Sequence, residues 1–427
     1  MYGAIRFAVL VIATLFIAPM AATAASLSVG DVVVLHATNP AGVPLHREPN
    51  PSLFGRAPDG ATATVRELAN EGRWLRIELP GGTGGWVVAR YLERQSAPPL
   101  PPPAPTADVN KVFGSLQECE QVVAAGGRLG KAGDRLRIAT WNIRWFPDGN
   151  PQKPGMETDL RWLACALAWL NPDVMALSEI RSTRKADAAW AAVTDGISGH
   201  IGGDWRVDLQ GCGGELTQHV GFLWNAERVT LSDAADVWQM NGAASNPRQP
   251  CAGNLRPGRA SYVKSRAGGI DLHIVAVHWD SGTRPRDFAH RESARDRLDS
   301  LFTDLNQRRP DADLIVLGDF NTMGVEGGVN GAQEIAVFRS SLATEVPGFR
   351  ALMPKLECSE YFEGRCGLLD HIVVTRDMVE AGTAAAIVSG YCAMLDGQPF
   401  GDAEPVAYQK LSDHCPVFVD IEDRDRD

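Results

Sequence analysis

The stretch "LIVLGDFN", residues 314–321, has an apolar run that enters Gly318 and ends on Asp319 and Asn321. Such a run is typical of a buried strand. Alternate residues of a strand point to the same face, so Asp319 and Asn321 should lie side by side. A carboxylate and an amide in this arrangement hold a water, a metal ion or a phosphate. An ordinary Asp-Asn turn after a strand is the commoner meaning of the pair, and the rest of the chain distinguishes the two interpretations.

The same arrangement recurs along the C-terminal three quarters of the chain, where apolar strands carry polar residues at one end. Strands rarely contain Asp, Glu or Asn, and burying such a group without a partner is costly. Six strands with this property therefore predict that their ends converge on one site. The residues concerned are Asn142 after "IATW", Glu179 after "VMALS", His278 after "IVAV", Asp319 and Asn321, Asp370 before "HIVV", and Asp413 and His414 before "CPVFV".

Strand patterns alternate with helix patterns in this part of the sequence. The segment "TDLRWLACALAWL" (158–170) has apolar residues at helical spacing, between the strands "RLRIATWN" and "PDVMALSE". A second amphipathic helix is predicted over 286–308, directly before "DLIVLGDFN". Strands this apolar are covered on both faces, so we predict a layered α/β domain.

The chain has 427 residues, of which 44% are apolar and 22% are charged. The length allows two or three domains, and the composition is ordinary for a soluble globular protein. With a formal net charge of −11, the chain has no overall attraction for nucleic acid or anionic lipid. A phosphate substrate is still compatible with this charge, because a bound divalent cation reverses the local field.

Residues 1–24 have the pattern of a secretory signal peptide. Arg6 supplies the positive charge, residues 7–18 are apolar, and Ala22-Thr23-Ala24 is typical of a cleavage site. The apolar segment is shorter than the roughly 20 residues of a membrane-spanning helix, so an uncleaved anchor is the weaker alternative. We therefore expect a secreted or periplasmic protein, with no integral membrane segment after cleavage.

The eight cysteines fit an oxidising compartment, where an even number predicts disulfides. Cys358 and Cys366 are the first candidate pair because they close a short loop that contains glycine. Cys212 and Cys251 are the second. No two cysteines have CxxC spacing, which argues against a zinc or redox motif.

A Pro- and Ala-rich linker, residues 96–109, separates a small unit (26–95) from a large one (110–424). The small unit contains short β-rich runs broken by Gly, Pro and Asn, and is predicted to be all-β. Its segment "NEGRWLRIELPGGTGGWVVARYLE" resembles bacterial SH3-like domains. The resemblance implies a binding module with a cell-wall or matrix ligand, and we expect most of the three aromatics Trp74, Trp86 and Tyr91 to be core residues.

The large unit resembles the endonuclease/exonuclease/phosphatase superfamily, which has the DNase I-like fold. The resemblance is carried by six motifs in the family's order: Thr140-Trp141-Asn142, Ser178-Glu179, Val277-His278, Gly318-Asp319-Phe320-Asn321, Leu369-Asp370-His371 and Ser412-Asp413-His414. It implies a four-layered α/β sandwich with two mainly antiparallel sheets. It also implies hydrolysis of phosphate esters with a divalent metal, usually Mg²⁺, with Mn²⁺ and Ca²⁺ as alternatives.

Mg²⁺ prefers a few hard oxygen ligands, and Glu179 is the best single candidate. The resemblance adds Asn142 and Asp413 to the metal site, and pairs Asp370 with His414. Hydrolysis at phosphorus needs a positioned water and cationic help. The candidate catalytic residues are therefore His278, Asp319, Asn321, Asp370 and His414, with His371 packing beside them.

Candidate substrate contacts are Gln218, Ser281 and Arg144, and more loosely Arg181, Arg256, Arg259 and Arg284. In the family, a Glu often accompanies the histidine that corresponds to His278, and Gln218 takes that place here. An amide orients an imidazole without charging it, so the protonation of His278 is undecided at this point.

Three functions are compatible with the sequence. The first is a secreted, monomeric nuclease that acts on nucleic acid, since "VHWDSGTRPRDFAHRESARDRLDSL" resembles exported bacterial nucleases of the superfamily. The second is a sphingomyelinase-like lipid phosphodiesterase, which needs an exposed apolar hairpin that the sequence does not obviously contain. The third is a binding protein with a decayed catalytic site.

Overall fold

The structure is a computed structural model that describes residues 27–94 and 107–426, apart from 28, 30–31, 38–40, 51, 71–72, 81, 213, 215–216 and 402. The chain divides into two compact units, residues 1–100 and 101–427. The predicted signal peptide and most of the predicted linker lie outside the described residues. Every helix among the described residues is too short or too polar to cross a bilayer.

The N-terminal unit is all-β, as predicted. Its core is formed by one face of each strand, with Val33, Leu45, Val65, Ile77 and Val87 fully or almost fully buried. The strands form one sheet in the order β3-β2-β6-β5-β4-β1-β7. Their bounds are β1 Val32–Leu35, β2 Val43–His46, β3 Leu53–Ala57, β4 Thr62–Ala69, β5 Trp74–Glu78, β6 Gly84–Val88 and β7 Leu92–Arg94, with a 3-10 turn at Ala89–Tyr91.

The expectation that most of the three aromatics are core residues is wrong for Trp74 and Trp86, which are only half-buried, whereas Tyr91 is partly buried and packs against the core. In β5 and β6 the buried positions are Leu75, Ile77 and Val87, so the period-2 alternation places the two tryptophans on the opposite face. Trp74 packs edge-on against His46 at a ring separation of 5.0 Å.

The C-terminal unit alternates strands and helices. Its strands are β8 Arg135–Phe146, β9 Val174–Arg181, β10 Trp205–Leu209, β11 Gln218–Asn225, β12 Val229–Val237, β13 Gly258–Ser265, β14 Asp271–His278, β15 Leu314–Asp319, β16 Phe349–Ala351, β17 Glu360–Phe362, β18 Arg365–Gly367, β19 Asp370–Thr375, β20 Ile387–Val388 and β21 Val417–Glu422. Its helices are α1 Ala107–Val112, α2 Leu116–Ala124, α3 Leu160–Leu170, α4 Arg184–Ile201, α5 Pro285–Arg295, α6 Leu298–Arg308, α7 Gly331–Thr344, α8 Gly390–Leu395 and α9 Val406–Lys410. Short 3-10 turns lie at Trp238–Met240 and Ala252–Asn254.

Two six-stranded sheets form the centre of this unit, in the orders β10-β11-β9-β8-β21-β20 and β12-β13-β14-β15-β19-β16. Each sheet is antiparallel except for one central parallel pair, β8 with β9 and β14 with β15. The carboxyl ends of parallel neighbours lie at the same edge of a sheet, so these two pairs bring the predicted polar strand ends together.

The sheets pack face to face, with β8 and β9 against β14 and β15, and helices cover both outer faces. Along β14, Ile274 and Ala276 belong to the core between the sheets, while Val275 and Val277 pack with Leu301 of α6 on the outer side. Strands buried on both faces explain the continuous apolar runs in the sequence. The expected four-layered α/β fold is confirmed.

The single helix predicted over 286–308 is instead two helices, α5 and α6. The chain leaves the helical path at Asp296 and Arg297, where the Asp296 N–H bonds to the Ala294 and Glu292 carbonyls. Arg297 donates to the Asn241 carbonyl at 3.0 Å and lies over the Trp238 ring. Apolar periodicity continues across the break, because Ala294 and Leu298 both face the same core. The sequence pattern therefore does not reveal the break.

The structure pairs the eight cysteines in four disulfides and confirms both predicted pairs, Cys212–Cys251 and Cys358–Cys366. The remaining bridges are Cys119–Cys165, which joins α2 to α3, and Cys392–Cys415, which joins α8 to the segment before β21. Four bridges are compatible with an extracellular or periplasmic location.

Candidate active site

Strand register brings three of the predicted residues into one row. His278 ends β14 directly opposite Asp319 at the end of β15, and Asp319 lies opposite Asp370 at the start of β19. In the facing sheet, Asn142 of β8 lies beside Ser178, the residue before Glu179 of β9. The convergence of the strand ends is therefore a consequence of sheet pairing.

Gly318 allows the close approach of β14 and β15 that this row requires. Its φ is +147°, and a Cβ at this position would lie 2.0 Å from the Val277 carbonyl oxygen. Only glycine fits such a contact, so the glycine of "GDFN" is needed next to Asp319.

Asn142 lies at the centre of the cluster. Its Nδ2 donates to Glu179 Oε1 at 3.1 Å and to Asp319 Oδ2 at 3.0 Å, and lies 3.4 Å from His414 Nε2. His278 Nε2 is 3.5 Å from Asp319 Oδ2 and 4.0 Å from Glu179 Oε1. The side chains of these five residues thus surround one point between the two sheets.

The backbone around this point adopts conformations that L-residues rarely take. Glu179 has φ +60°, Asn321 has φ +50° and Trp145 has φ +51°. Such residues concentrate at functional sites, where surrounding contacts compensate the strain. A bulge in β8 between Asn142 and Phe146 contains Trp145, whose N–H donates to Glu179 Oε2 at 3.1 Å.

The Asp319–Asn321 pair forms the turn that was the commoner of its two interpretations. The Asn321 N–H donates to Asp319 Oδ1 at 2.9 Å, which is the turn that such pairs commonly make. Asn321 Nδ2 donates to the Trp279 carbonyl at 3.1 Å, and Asp319 Oδ2 remains directed to the cluster. The turn therefore fixes the orientation of a carboxylate that also belongs to the site.

His414 is held by Asp370, whose Oδ2 lies 2.8 Å from its Nδ1. Ser359 Oγ donates to the same carboxylate at 2.8 Å, and Trp141 Nε1 donates to the His414 carbonyl at 3.0 Å. Burial alone would lower the pKa of His414, but Asp370 and Asp319 outweigh it and raise that pKa well above its usual value. The surroundings of His414 therefore favour its charged, imidazolium form.

His278 has the opposite protonation. Burial, with the positive charges of Arg256 and His414, holds its pKa well below the usual value. Its Nδ1 is buried without a hydrogen-bond partner. The idea that Gln218 orients His278 does not match the structure, because Gln218 Oε1 accepts a hydrogen bond from Arg256 at 3.2 Å instead. His278 is thus a neutral imidazole.

Nearby positive charge does not fully offset the burial of the Glu179 and Asp319 carboxylates. Burial, with the neighbouring Asp413, raises the pKa of Glu179 to about 7. Burial also raises the pKa of Asp319 to about 6, although the positive charge of His414 opposes the rise. A bound cation would stabilise the ionised form of both carboxylates and so lower their pKa values.

A metal ion fits this donor set. Glu179, His278 and Asp319 each offer a ligand atom, and these atoms lie within 4.8 Å of one another. Two carboxylate oxygens suit a hard divalent cation that keeps several waters. His278 and Asp319, which the sequence suggested only for catalysis, are therefore also candidate ligands. Asp413 lies outside this group but close enough to raise the pKa of Glu179.

Arg144 is not a substrate contact in this structure, contrary to the prediction. It is buried, and its guanidinium donates to the backbone carbonyls of Tyr408, Gln409 and Met156. It thus holds the segment around α9 against β8. Arg259 is likewise committed to ion pairs with Asp208 and Asp236.

The other predicted contacts have different surroundings. Ser281 and Arg284 are exposed in the segment between β14 and α5. Arg181 lies over the Trp145 ring and 3.6 Å from Asp148. His371 packs beside the site as expected, with Nε2 2.9 Å from Thr322 Oγ1 and its ring against Phe320 and Phe338.

Sequence reasoning missed Glu360, which lies in β17 and forms an isolated bridge with His414. Burial raises the pKa of Glu360 to about 8, so it is a protonated acid at neutral pH. Glu360 lies between Cys358 and Cys366, outside any long apolar strand. It could therefore not be predicted as a polar residue at the end of an apolar strand. The disulfide between these cysteines was the one available signal.

Comparison with known proteins identifies the class. Residues 139–414 match the model of the Endonuclease/Exonuclease/phosphatase family. This range includes every site residue named above, and the chain belongs to this family. Its members generally hydrolyse phosphoester bonds, many with a divalent metal. No curated protein matches the chain significantly.

Several solved structures are similar in fold. A family member from Bacteroides vulgatus shares 16% identity, with a TM-score of 0.48 over 67% of this chain and 98% of its own. A mannosyl-6-phosphatase from Bacteroides thetaiotaomicron shares 15% identity, with a TM-score of 0.44 over 66% and 98%. The catalytic domain of human Nocturnin shares 14% identity, with a TM-score of 0.42 over 68% and 95%.

Proposed function

We propose that this protein is a divalent-metal-dependent phosphodiesterase, and that its substrate is nucleic acid. The observation that carries the proposal is the cluster at the carboxyl ends of β8, β9, β14 and β15. Asn142 lies there within hydrogen-bonding distance of Glu179, Asp319 and His414. His278 lies 3.5 Å from the buried Asp319.

Each residue has a role that its surroundings support. Asp319, with a pKa of about 6, is ionised near neutral pH and accepts a hydrogen bond from the attacking water, which it orients. Asn321 and Asp319 fix each other in the turn, which keeps that carboxylate oriented. His414, charged and held by Asp370, donates a hydrogen bond to the phosphoryl oxygen on which negative charge develops.

Glu179, Asp319 and His278 would hold the metal ion, with Asn142 between the two carboxylates. The metal would supply charge stabilisation and orientation to the phosphate. Because its pKa is held low, His278 stays neutral and offers a lone pair rather than a proton. The low pKa of His278 supports the neutral state that the sequence left undecided.

A lipid phosphodiesterase is the second candidate, and one observation favours it. The sequence showed no exposed apolar hairpin, but the structure contains the hairpin β17–β18, with Phe362 66% exposed. Glu360, in the same strand as Phe362, forms a bridge with His414. A single exposed aromatic offers little area for membrane attachment, so nucleic acid is the preferred substrate.

The test is a set of assays on the purified mature protein with Mg²⁺, Mn²⁺, Ca²⁺ or EDTA. The substrates are plasmid DNA, RNA, sphingomyelin and bis-p-nitrophenyl phosphate. We expect metal-dependent cleavage of nucleic acid that Asp319→Asn abolishes. The matched control is Asp377→Asn, which changes an exposed carboxylate beyond the opposite end of β19 and should retain activity.

Cleavage of sphingomyelin alone would show that the protein is a lipid phosphodiesterase, the second candidate. Inactivity on all four substrates in every metal would contradict the proposal and favour a decayed binding site. Activity in EDTA, or an active Asp319→Asn variant, would contradict the roles given to the metal and to Asp319.

We further propose that the enzyme is exported and that the N-terminal β unit tethers it to a cell wall or matrix. The signal-peptide pattern and the four disulfides support export. The half-buried Trp74 and Trp86 on the outer face of the small sheet support a binding role. Deletion of residues 26–108 should release the protein from cell-wall preparations without loss of hydrolysis, and unchanged retention would contradict the tether.

A further inference from the structure

A cavity of about 260 Å³ adjoins the candidate active site. It is lined by Trp145, Thr217, Gln218, Asn254, Leu255 and Arg256, and the disulfide Cys212–Cys251 forms part of its wall. The metal-binding and catalytic roles proposed above use none of these side chains. This volume lies slightly below the roughly 300–1,000 Å³ found for ligand pockets, which suits one ring system.

Two contacts connect the cavity to the site. On one side, the Trp145 N–H donates to Glu179 Oε2 at 3.1 Å. On the other side, the Arg256 guanidinium reaches the Trp279 carbonyl at 3.4 Å, and Asn321 donates to the same carbonyl at 3.1 Å. Lining residues of the cavity are therefore in direct or shared contact with Glu179 and Asn321 of the candidate site.

The cavity presents two planar groups, the indole of Trp145 and the guanidinium of Arg256. The Trp145 ring is held in place, because its backbone is fixed by the β8 bulge and Arg181 lies 5.9 Å from its centroid. Arg256 donates to Gln218 at 3.2 Å, but its Nε is buried without a partner. Proteins commonly hold single-stranded bases by stacking on aromatic rings and guanidinium planes.

We propose that this cavity binds the base of the nucleotide next to the scissile phosphate, stacked on Trp145 and bordered by Arg256. Thr217, Gln218 and Asn254 supply donors and acceptors for the base edge. A lipid chain suits this cavity poorly, because half of its lining side chains are polar and its volume is small. The inference rests on the proposed phosphodiesterase function and names the part of the substrate that the site recognises.

The test compares paired substrates that differ only in the base. The substrates with a base are thymidine 5′-(p-nitrophenyl phosphate) and its 3′ isomer. Each is compared with the p-nitrophenyl phosphodiester of deoxyribose that has the same connectivity but no base. The measured quantity is the ratio of kcat/KM with the base to kcat/KM without it. We expect at least one isomer to show a ratio of about five or more in the wild type, since stacking of a base contributes about five- to 150-fold.

In Trp145→Ala this ratio should fall toward one, and Trp145→Phe should restore most of it. The matched control is Trp224→Ala, a half-buried tryptophan near the opposite end of β11 from Gln218, which should leave the ratio unchanged. A merely structural role of Trp145 would lower kcat/KM on both members of a pair equally and leave the ratio as in the wild type, which would overturn the proposal.

The outcomes separate this inference from the function on which it rests. Hydrolysis of base-containing and abasic diesters at equal rates by the wild type would refute the base subsite and leave the phosphodiesterase standing. Preference for a sugar phosphate without a base would assign the cavity to a sugar ring and also refute it. Inactivity on every diester would refute the proposed function and this inference with it.

Discussion

Oδ2 of Asp370 lies 2.8 Å from Nδ1 of His414, while the same carboxylate accepts a hydrogen bond from Ser359 Oγ at 2.8 Å. All three residues are buried, so the negative charge of Asp370 acts on the imidazole with little screening by water. The charge state of His414, and with it the donor available to a phosphoryl oxygen, therefore depends on Asp370.

Asp370→Asn should remove that control. Burial lowers the pKa of His414, and Asp370 is the first of the carboxylates that raise it, so the pKa of the imidazole should fall in the variant although Asp319 still opposes burial. We expect kcat to fall by about 10²-fold or more, and the alkaline limb of the pH–rate profile to move to lower pH. Ser359→Ala keeps the carboxylate and should cause a smaller loss. An unshifted alkaline limb in Asp370→Asn would contradict the role of His414 as a proton-bearing group.

Metal affinity should depend on pH in a defined direction. Glu179 and Asp319 bind a cation only when deprotonated, and their pKa values of about 7 and about 6 mean that protons compete below neutrality. Lowering the pH from 8 to 5 should raise the Kd for Mg²⁺. Once the pH is below the pKa of a ligand carboxylate, that carboxylate should raise the Kd by about tenfold per pH unit. Calorimetric titration at several pH values, with Glu179→Gln for comparison, measures this. A Kd constant over this range would show that the two carboxylates are not ligands.

His371 should make folding stability depend on pH. Burial lowers its pKa to about 3, against about 6.5 in the unfolded chain, so the unfolded state binds the proton more readily between these values. Stability should therefore rise with pH from about 3 to 6.5 and level off above, with a slope of up to about 1.4 kcal/mol per unit from this residue. Urea unfolding of His371→Gln should show a reduced slope, whereas His200→Gln, a partly exposed histidine at the end of α4, should keep it.

The disulfide Cys392–Cys415 should matter for activity as well as for stability. Cys415 directly follows His414, and its N–H donates to the Ser359 carbonyl at 2.8 Å. Replacing both cysteines by Ala should cost about 3 kcal/mol in unfolding free energy and should also lower kcat. The matched control is the double Ala variant of Cys119–Cys165, which joins α2 to α3. It should lose comparable stability but retain kcat at temperatures where it is folded. Equal effects on kcat would show that the position beside His414 is unimportant.

The strand-end residues could be predicted because a physical constraint makes them conspicuous. A long apolar strand that ends on Asp, Asn, Glu or His violates ordinary strand composition, and the violation recurs in the order of a known family. Asn142, Glu179, His278 and Asp319 were recognised in this way, and the structure places them within a few ångströms of one another.

Other features depend on tertiary contacts that leave no mark on the local pattern. Arg144 lies two residues after the motif residue Asn142, which made it a candidate substrate contact. In the structure its guanidinium instead binds two carbonyls of α9, which lie 264 and 265 residues further along the chain. Glu360 is a polar residue in a short loop until β17 folds against His414. The break between α5 and α6 arises from the contact of Arg297 with Asn241.

The hydrogen bond from Ser412 Oγ to the Asn142 carbonyl spans 270 residues of sequence. The site thus joins the first and last motifs of the matched family region, and no shorter segment of the domain contains it. The site is therefore absent from an incomplete or unfolded chain, and from a chain that is cut between the motifs and whose pieces separate. Such a chain has the individual side chains but does not bring them together. The proposed hydrolysis of phosphate esters would therefore begin only when the whole domain has assembled, and the chain would be inactive during its own synthesis.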